Sequence, residues 1–479
     1  VRLSAFPTES AFLPALANAW LAEPGDPAAG LIILPNRRAA RALAGAFLPA
    51  NQGKALLLPR IIAPGAIDEA GLALTGALSL PPAVPVLQRQ STIAGLILAM
   101  NGANGAPRKL PGAWRLAGDL AALLDEADEA EIDLAETLPN VVAAELAEHW
   151  QTTLKFLEIV TRVWPARLAE LGMMNPAARQ SALINAQAEA WASKPPGAKI
   201  WLVTAAANPA LTRLAAVVAG LPNGAVILPS HDWSLGEDPW QAVDDSHPAA
   251  GIARLLTALG ARREEIALWP APGNTAGGRA KLLSQALLPA GGLESWQSQS
   301  AFDLAGIHRL SAGEEQQEAT AIAMALRDAL ETPGATTALI TPDRGLATRV
   351  AATLKRFGIT ADDSAGEPLA DTPPAILLRL LSRAAASEFA PLPLLALLKH
   401  PLTAAGEQPE ICRIHARMLE RRVLRGPRPS PGFDGIKFRL EEIGSEPLKA
   451  FLDRLELRLR PIAGMAVAIG PADALHALI

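Results

Sequence analysis

The sequence predicts an α/β protein in which two strand-and-helix layers alternate with helical stretches. Three observations carry this. The apolar run "LIIL" at 31–34 passes through Pro35 straight into a helical stripe. "KIWLV" at 199–203 and "GAVILP" at 224–229 flank a helix-length segment, a βαβ unit of ordinary size. The strand-then-helix order returns after residue 307.

Residues 1–65 read as helix ("ESAFLPALANAWLA"), strand 31–34, helix 37–48 and a short strand in "ALLLPRII", the first part of an α/β layer. Asn36 is placed to cap the helix, and Ala40, Leu43, Ala44 and Phe47 form its apolar stripe. From 66 to 194 the spacing turns helical throughout, in "RLAGDLAALLDEADEAEIDLAETL" and "LAEHWQTTLKFLEIVTRVWPARLAELG", so this region is expected to be a helical insertion that "SKPPGA" closes. Residues 195–300 resume the first layer with the βαβ unit. Residues 301–370 give a second one: a strand near "IHRL", a helix through "EEQQEATAIAMALRDAL", a strand in "TTALITP" and a helix in "LATRVAATLKRFG". Residues 371–479 are helical again, broken by "RGPRPSPGFDG". The ending "ADALHALI", apolar and without a C-cap, suggests a fragment of something longer.

The chain has 479 residues, half of them apolar, which is material for three or four folding units. Its net charge of −5 offers nucleic acid no global attraction, so any such binding must come from local patches. A single cysteine, Cys412, excludes an intramolecular disulfide and four-cysteine zinc or iron–sulfur sites, and fits a reducing cytoplasm. No apolar run reaches the roughly 18 residues of a membrane span, and no signal-peptide pattern opens the chain.

Two clusters of arginine stand out. Arg37, Arg38 and Arg41 lie in the first turns of a helix whose amide end is already positive, a placement suited to phosphate; the alternative is pairing with carboxylates of a neighbouring element. Farther on, Arg413, Arg417, Arg421 and Arg425 recur at four-residue spacing, with Arg422 and Arg428 nearby. These six arginines face a single glutamate, Glu420, between 413 and 428. Such a ridge can track a phosphodiester backbone, or it can pair with acidic helices such as the one at 119–136.

Catalytic motifs are missing. A Walker A loop would need glycines, a lysine and a Ser or Thr, but "FPTESAFL" has no glycine and the one Gly-Lys pair, Gly53–Lys54, runs into Ala55. "IWLVTAAAN" lacks the acidic pair that would hold magnesium. "FDGIK" is one residue too long for an acid-x-Lys nuclease triplet. Asp362–Asp363 reads better as turn chemistry than as a metal site. No catalytic, cofactor or metal residue is assigned in this chain.

Taken in order, "LIILPNRRAARALAGAFL", "LLLPRI", "LPNGAVILPSHDW", "SHPAAGIARLLTALG", the stretch from "EEQQEATAIAMALRDAL" to "ITADDSAG", and "LLALLKHPL" resemble the AddB family, subunits of the AddAB helicase-nucleases of double-strand break repair, in their alphaproteobacterial form. The likeness spans nearly the whole length and is most specific over 310–403. The resemblance implies two RecA-like layers related to those of UvrD- and RecB-type helicases, at 1–65 plus 195–300 and at 301–370, with helical insertions. It places Arg37, Arg38 and Arg41 where active relatives contact single-stranded DNA. It aligns "TPDRG" with the segment of an ATP-sensing arginine, with Pro342 at that position and Arg344 two residues on. It implies a helicase-like fold kept for handling DNA rather than as a motor. The implied partners are an AddA-type subunit, which would hold ATP and Mg, and DNA with a duplex end or a single-stranded tail. The family's nuclease site and iron–sulfur cysteines would belong to a domain beyond residue 479. A purely structural scaffold that docks the motor subunit without touching DNA is the alternative.

Overall fold

The computed structural model describes residues 2–462 except 7–9, 68, 70–71, 73–79, 101–108, 141–152, 155, 206–207, 230, 233–234, 270–276 and 299–303. The expected ending "ADALHALI" and the stretch Pro7–Glu9 after the first strand therefore lie outside the described residues. The chain divides into two compact units, Val1–Arg309 and Leu310–Ile479. No helix among the described residues is long and apolar enough to cross a membrane.

Among the described residues the first unit is built on one parallel sheet of six strands: β1 (Leu3–Ala5), β2 (Gly30–Ile33), β3 (Arg60–Ile62), β4 (Lys199–Val203), β5 (Gly224–Leu228) and β6 (Ala267–Leu268), in the order β3-β2-β4-β5-β1-β6. Parallel strands are covered by helices on both faces, which is why their sequences run apolar without alternation. On one face Ile32, Leu34, Trp201, Val203, Ala225 and Ile227 pack under α1 (Phe12–Ala22) and α2 (Arg37–Ala50). On the other, Ile33, Ile200, Leu202, Val226 and Leu228 meet the helices that follow β3, β4 and β5. β2 lies beside β4, pairing Gly30 with Lys199 and Ile33 with Leu202. Gly30 has to be small: a Cβ there would stand 2.6 Å from the Lys199 carbonyl oxygen and 2.8 Å from the Trp20 ring.

Between β3 and β4 the described elements are helices: α3 (Val86–Ala99), α4 (Leu110–Ala130), α5 (Trp164–Leu171) and α6 (Pro176–Ser193). Inside their apolar core the nearly buried Arg89 makes a two-pronged ion pair with Asp125, at 2.6 and 2.7 Å. The Trp164 indole donates to Asn175 Oδ1 at 2.9 Å. After β4 come α7 (Pro209–Gly220) and, after β5, α8 (Ala250–Leu259). The loop leaving β5 is held by Arg263, which donates to the carbonyls of Asp232 at 2.6 Å and Leu235 at 2.5 Å and to His231 Nε2 at 3.2 Å. Its guanidinium lies over the Trp240 ring.

The second unit contains α9 (Glu315–Ala329) and α10 (Arg344–Lys355), packed through Ala319, Ala323, Val350 and Leu354. The helices are where the spacing puts them, but the strands expected at "IHRL" and "TTALITP" form no ladder among the described residues, and Ile340 is 94 % exposed. A strand exists only through its neighbours; lacking paired ones, these segments run without β structure, and the second layer expected at 301–370 is not assembled as a sheet. The remainder is a helical core of α11 (Pro373–Ala386), α12 (Pro391–Leu398), α13 (Pro409–Leu419), α14 (Gly432–Glu441) and α15 (Glu446–Leu459).

Candidate nucleic-acid interface

β2 ends at Ile33, Pro35 prevents further pairing, and Asn36 turns the chain into α2. Asn36 is extended, and its Oδ1 accepts the Ala39 amide at 2.8 Å, the cap that its position suggested. No acidic residue occupies the first turn, so the positive helix end is left without an internal counter-charge. Arg37, Arg38 and Arg41 are all exposed there. Arg37 and Arg41 carry no ion pair among the described residues, and Arg38 is engaged by a further contact.

A second helix end meets this one. Because β4 lies next to β2, the N-terminus of α7 emerges beside that of α2; Asn208 caps it, accepting the Leu211 amide at 2.8 Å, and it too lacks an acidic first turn. The connections from β2 and β4 leave on opposite faces of the sheet, and a crevice opens between them, the location where open parallel sheets hold ligands. It is a cavity of ≈ 430 Å³ lined by Asn36 and Arg37, by Pro64 and Gly65 after β3, by Asn208 and Leu211, and by side chains of α4 and α6 including Glu129, Gln180 and Ser181. The sequence reading singled out Arg37 and Asn36 but neither Asn208, Ser181 nor Glu129. The sequence predicts a helix in "NPALTRLAAVVAGL", but its meeting with α2 depends on strand order, which local spacing does not encode.

The arginine stripe of the second unit departs from its expected geometry. α13 carries Arg413 and Arg417, then widens into a π-helical turn over Glu420–Leu424, closed by the Arg425 amide donating to the Glu420 carbonyl at 3.0 Å. The wider turn lets both Val423 and Leu424 reach the core below Leu419. As a result the ridge ends at Arg421, and Arg425 leaves it in an extended conformation. Two of the six are engaged locally: Arg425 with Glu420 at 2.9 Å, and half-buried Arg413 with the Pro401 carbonyl at 3.4 Å. Arg417, Arg421, Arg422 and Arg428 are exposed and have no ion pair among the described residues.

Arg344, in the "TPDRG" segment, grips Asp363 through two hydrogen bonds of 2.9 and 2.6 Å and reaches the Gly366 carbonyl. The Arg344 hydrogen bond, helped by the Ala365 amide, pulls the Asp363 carboxyl down to about 2. Asp363 is thus occupied in pinning its own loop. Among the described residues no three His, Cys, Asp or Glu side chains gather as a cation site.

Compared with known proteins, the sequence matches no family model and no curated protein.

Proposed function

We propose that this chain is the helicase-like, DNA-binding portion of an AddB-type subunit, guiding strands at processed double-strand ends while docked to an AddA-type motor. The observation that carries this reading is the exposed first turn of α2, at the carboxyl end of a parallel sheet, which bears Arg37, Arg38 and Arg41 and contains no acidic residue. In the RecA-like reading of the first unit, the strand and helix at 31–48 would be the segment that meets single-stranded DNA. Backbone amides at the helix end and guanidinium forks together supply donors for successive phosphates. Arg417, Arg421, Arg422 and Arg428 give the second unit a positive surface of its own. Chemistry on ATP would belong to the partner subunit.

One specific observation favours the scaffold reading for part of the stripe: Arg425 is paired with Glu420 and Arg413 with a carbonyl, which leaves a shorter positive surface than the sequence spacing implied.

The test is fluorescence anisotropy of a single-strand-tailed duplex across a salt series. Affinity should fall linearly on log–log axes, and Arg37→Ala with Arg41→Ala should flatten the slope by about two units. Arg417→Ala with Arg421→Ala should do the same if the stripe touches DNA. Unchanged slopes in both pairs, or no binding at low salt, would remove the DNA-guiding role and leave the scaffold.

A further inference from the structure

α13 presents a face that the strand-guiding role leaves unused. Its inner side is set by Cys412, Ala416 and Leu419, all buried in the helical core. On the outer side Ile411 and Ile414 are 42 % and 50 % exposed, and Met418 is half-buried. Positions 411, 414 and 418 follow the spacing of a single helical stripe, so these apolar side chains form a strip about 10 Å long. A lone surface isoleucine is ordinary, whereas a row of apolar residues in register along one helix is the form in which helices bury each other.

Positive charge borders the strip. Arg417 stands one turn after Ile414 and Arg421 one turn farther, both exposed and without an ion pair among the described residues. Glu420, the one carboxylate between 413 and 428, is taken by Lys399 at 2.7 Å and Arg425 at 2.9 Å, and those two hydrogen bonds hold its carboxyl below the usual range. It therefore does not neutralise Arg417 or Arg421. Glu410, in the first turn, is the only acid within α13 itself. A phosphodiester backbone would use the arginines but has nothing to place on the isoleucines. A second copy of this face would set arginine against arginine. A helix with apolar residues at matching spacing and carboxylates on one flank would use both features.

We propose that the outer face of α13 docks an acidic amphipathic helix of a partner protein, its apolar residues seated on Ile411, Ile414 and Met418 and its carboxylates opposite Arg417 and Arg421. This docking goes beyond the strand-guiding role and does not rest on it.

The experiment uses the full chain and fluorescence anisotropy of labelled synthetic helical peptides of roughly five turns. One has leucines at the α13 spacing and glutamates elsewhere, a second has lysines in place of the glutamates, and a third is a scrambled version of the first. The first should bind, and the other two should bind at least about tenfold more weakly. Ile411→Ala with Ile414→Ala should weaken the first peptide about tenfold, keep its salt dependence and leave the tailed duplex bound as before. Arg417→Ala with Arg421→Ala should weaken it too, and reduce its salt dependence. All four positions are on the surface or only half-covered, so neither pair should move the melting temperature. The proposal is overturned if the acidic peptide fails to bind, if its scrambled version binds as well, or if the isoleucine pair changes nothing. It is also overturned if the isoleucine pair weakens the duplex, which would give the face to DNA. The same holds if the chain dimerises in sedimentation and that pair abolishes the dimer, which would make a second copy the occupant. Peptide bound through these residues with no duplex bound removes the strand-guiding role and leaves the docking face standing; duplex bound through Arg37 and Arg41 with no peptide bound does the reverse.

Discussion

Replacing Asn36 by alanine would remove the oxygen that accepts the Ala39 amide, and the first turn of α2 would lose its only side-chain cap. The expected cost is about 1 kcal/mol, read from urea denaturation, and the proposed DNA-binding role adds an expected loss in DNA affinity because Arg37 and Arg38 ride on that turn. His231 is a different case. It is buried, 1 % exposed, and burial followed by the nearby Arg263 charge pushes its pKa down from 6.5 to about 4. The unfolded chain therefore takes up a proton below pH 6.5 that the folded chain refuses until about pH 4. The stability linked to this residue is complete above that window, declines as pH falls through it and is gone below it, a total of about 3 kcal/mol. Denaturation midpoints between pH 7 and 4 should fall more steeply in the native chain than in His231→Gln. At this scale Asn36 was legible because a cap is a local arrangement. His231 was not, since its burial comes from Arg263 and Trp240, distant in sequence.

Among the elements, α4 offers the sharpest test. Asp125 neutralises Arg89, whose side chain is only 4 % exposed, so Asp125→Ala would strand a charge in the helical core. The expected destabilisation is about 2–4 kcal/mol, and replacing both residues by leucine should recover much of it, since the desolvated pair is not itself strongly stabilising. The helices and β2, β4 and β5 could be read from apolar runs bounded by Asn, Pro and Gly. β1 and β6 could not: three and two residues long, they are strands only because β5 and β1 respectively supply their hydrogen bonds. The same dependence explains "TTALITP", whose composition suits a strand but whose backbone has no ladder partner among the described residues. In α13 the four-residue arginine spacing suggested one ridge, because nothing in the local sequence announces the π turn that seats Val423 and Leu424.

For the molecule as a whole, each unit has its own buried core, so calorimetry should resolve more than one unfolding transition. Leu452→Ala, in the fully buried core of the second unit, should lower one transition by about 2–5 kcal/mol and leave the sheet-based one in place. The placement of β1 bears on how the chain is made. Leu3 pairs with Val226 across 223 positions, and Ser4 with Ala267 still farther on. At a translation rate of about 5–20 residues per second, the first strand leaves the ribosome roughly 10–45 s before the strand that flanks it exists. Through that interval Leu3 and Ala5, fully enclosed in the finished sheet, have no native neighbour, and β2 waits nearly as long for β4. Nascent chains of this protein are therefore expected to engage a chaperone early, and to release it only once residues near 228 have emerged.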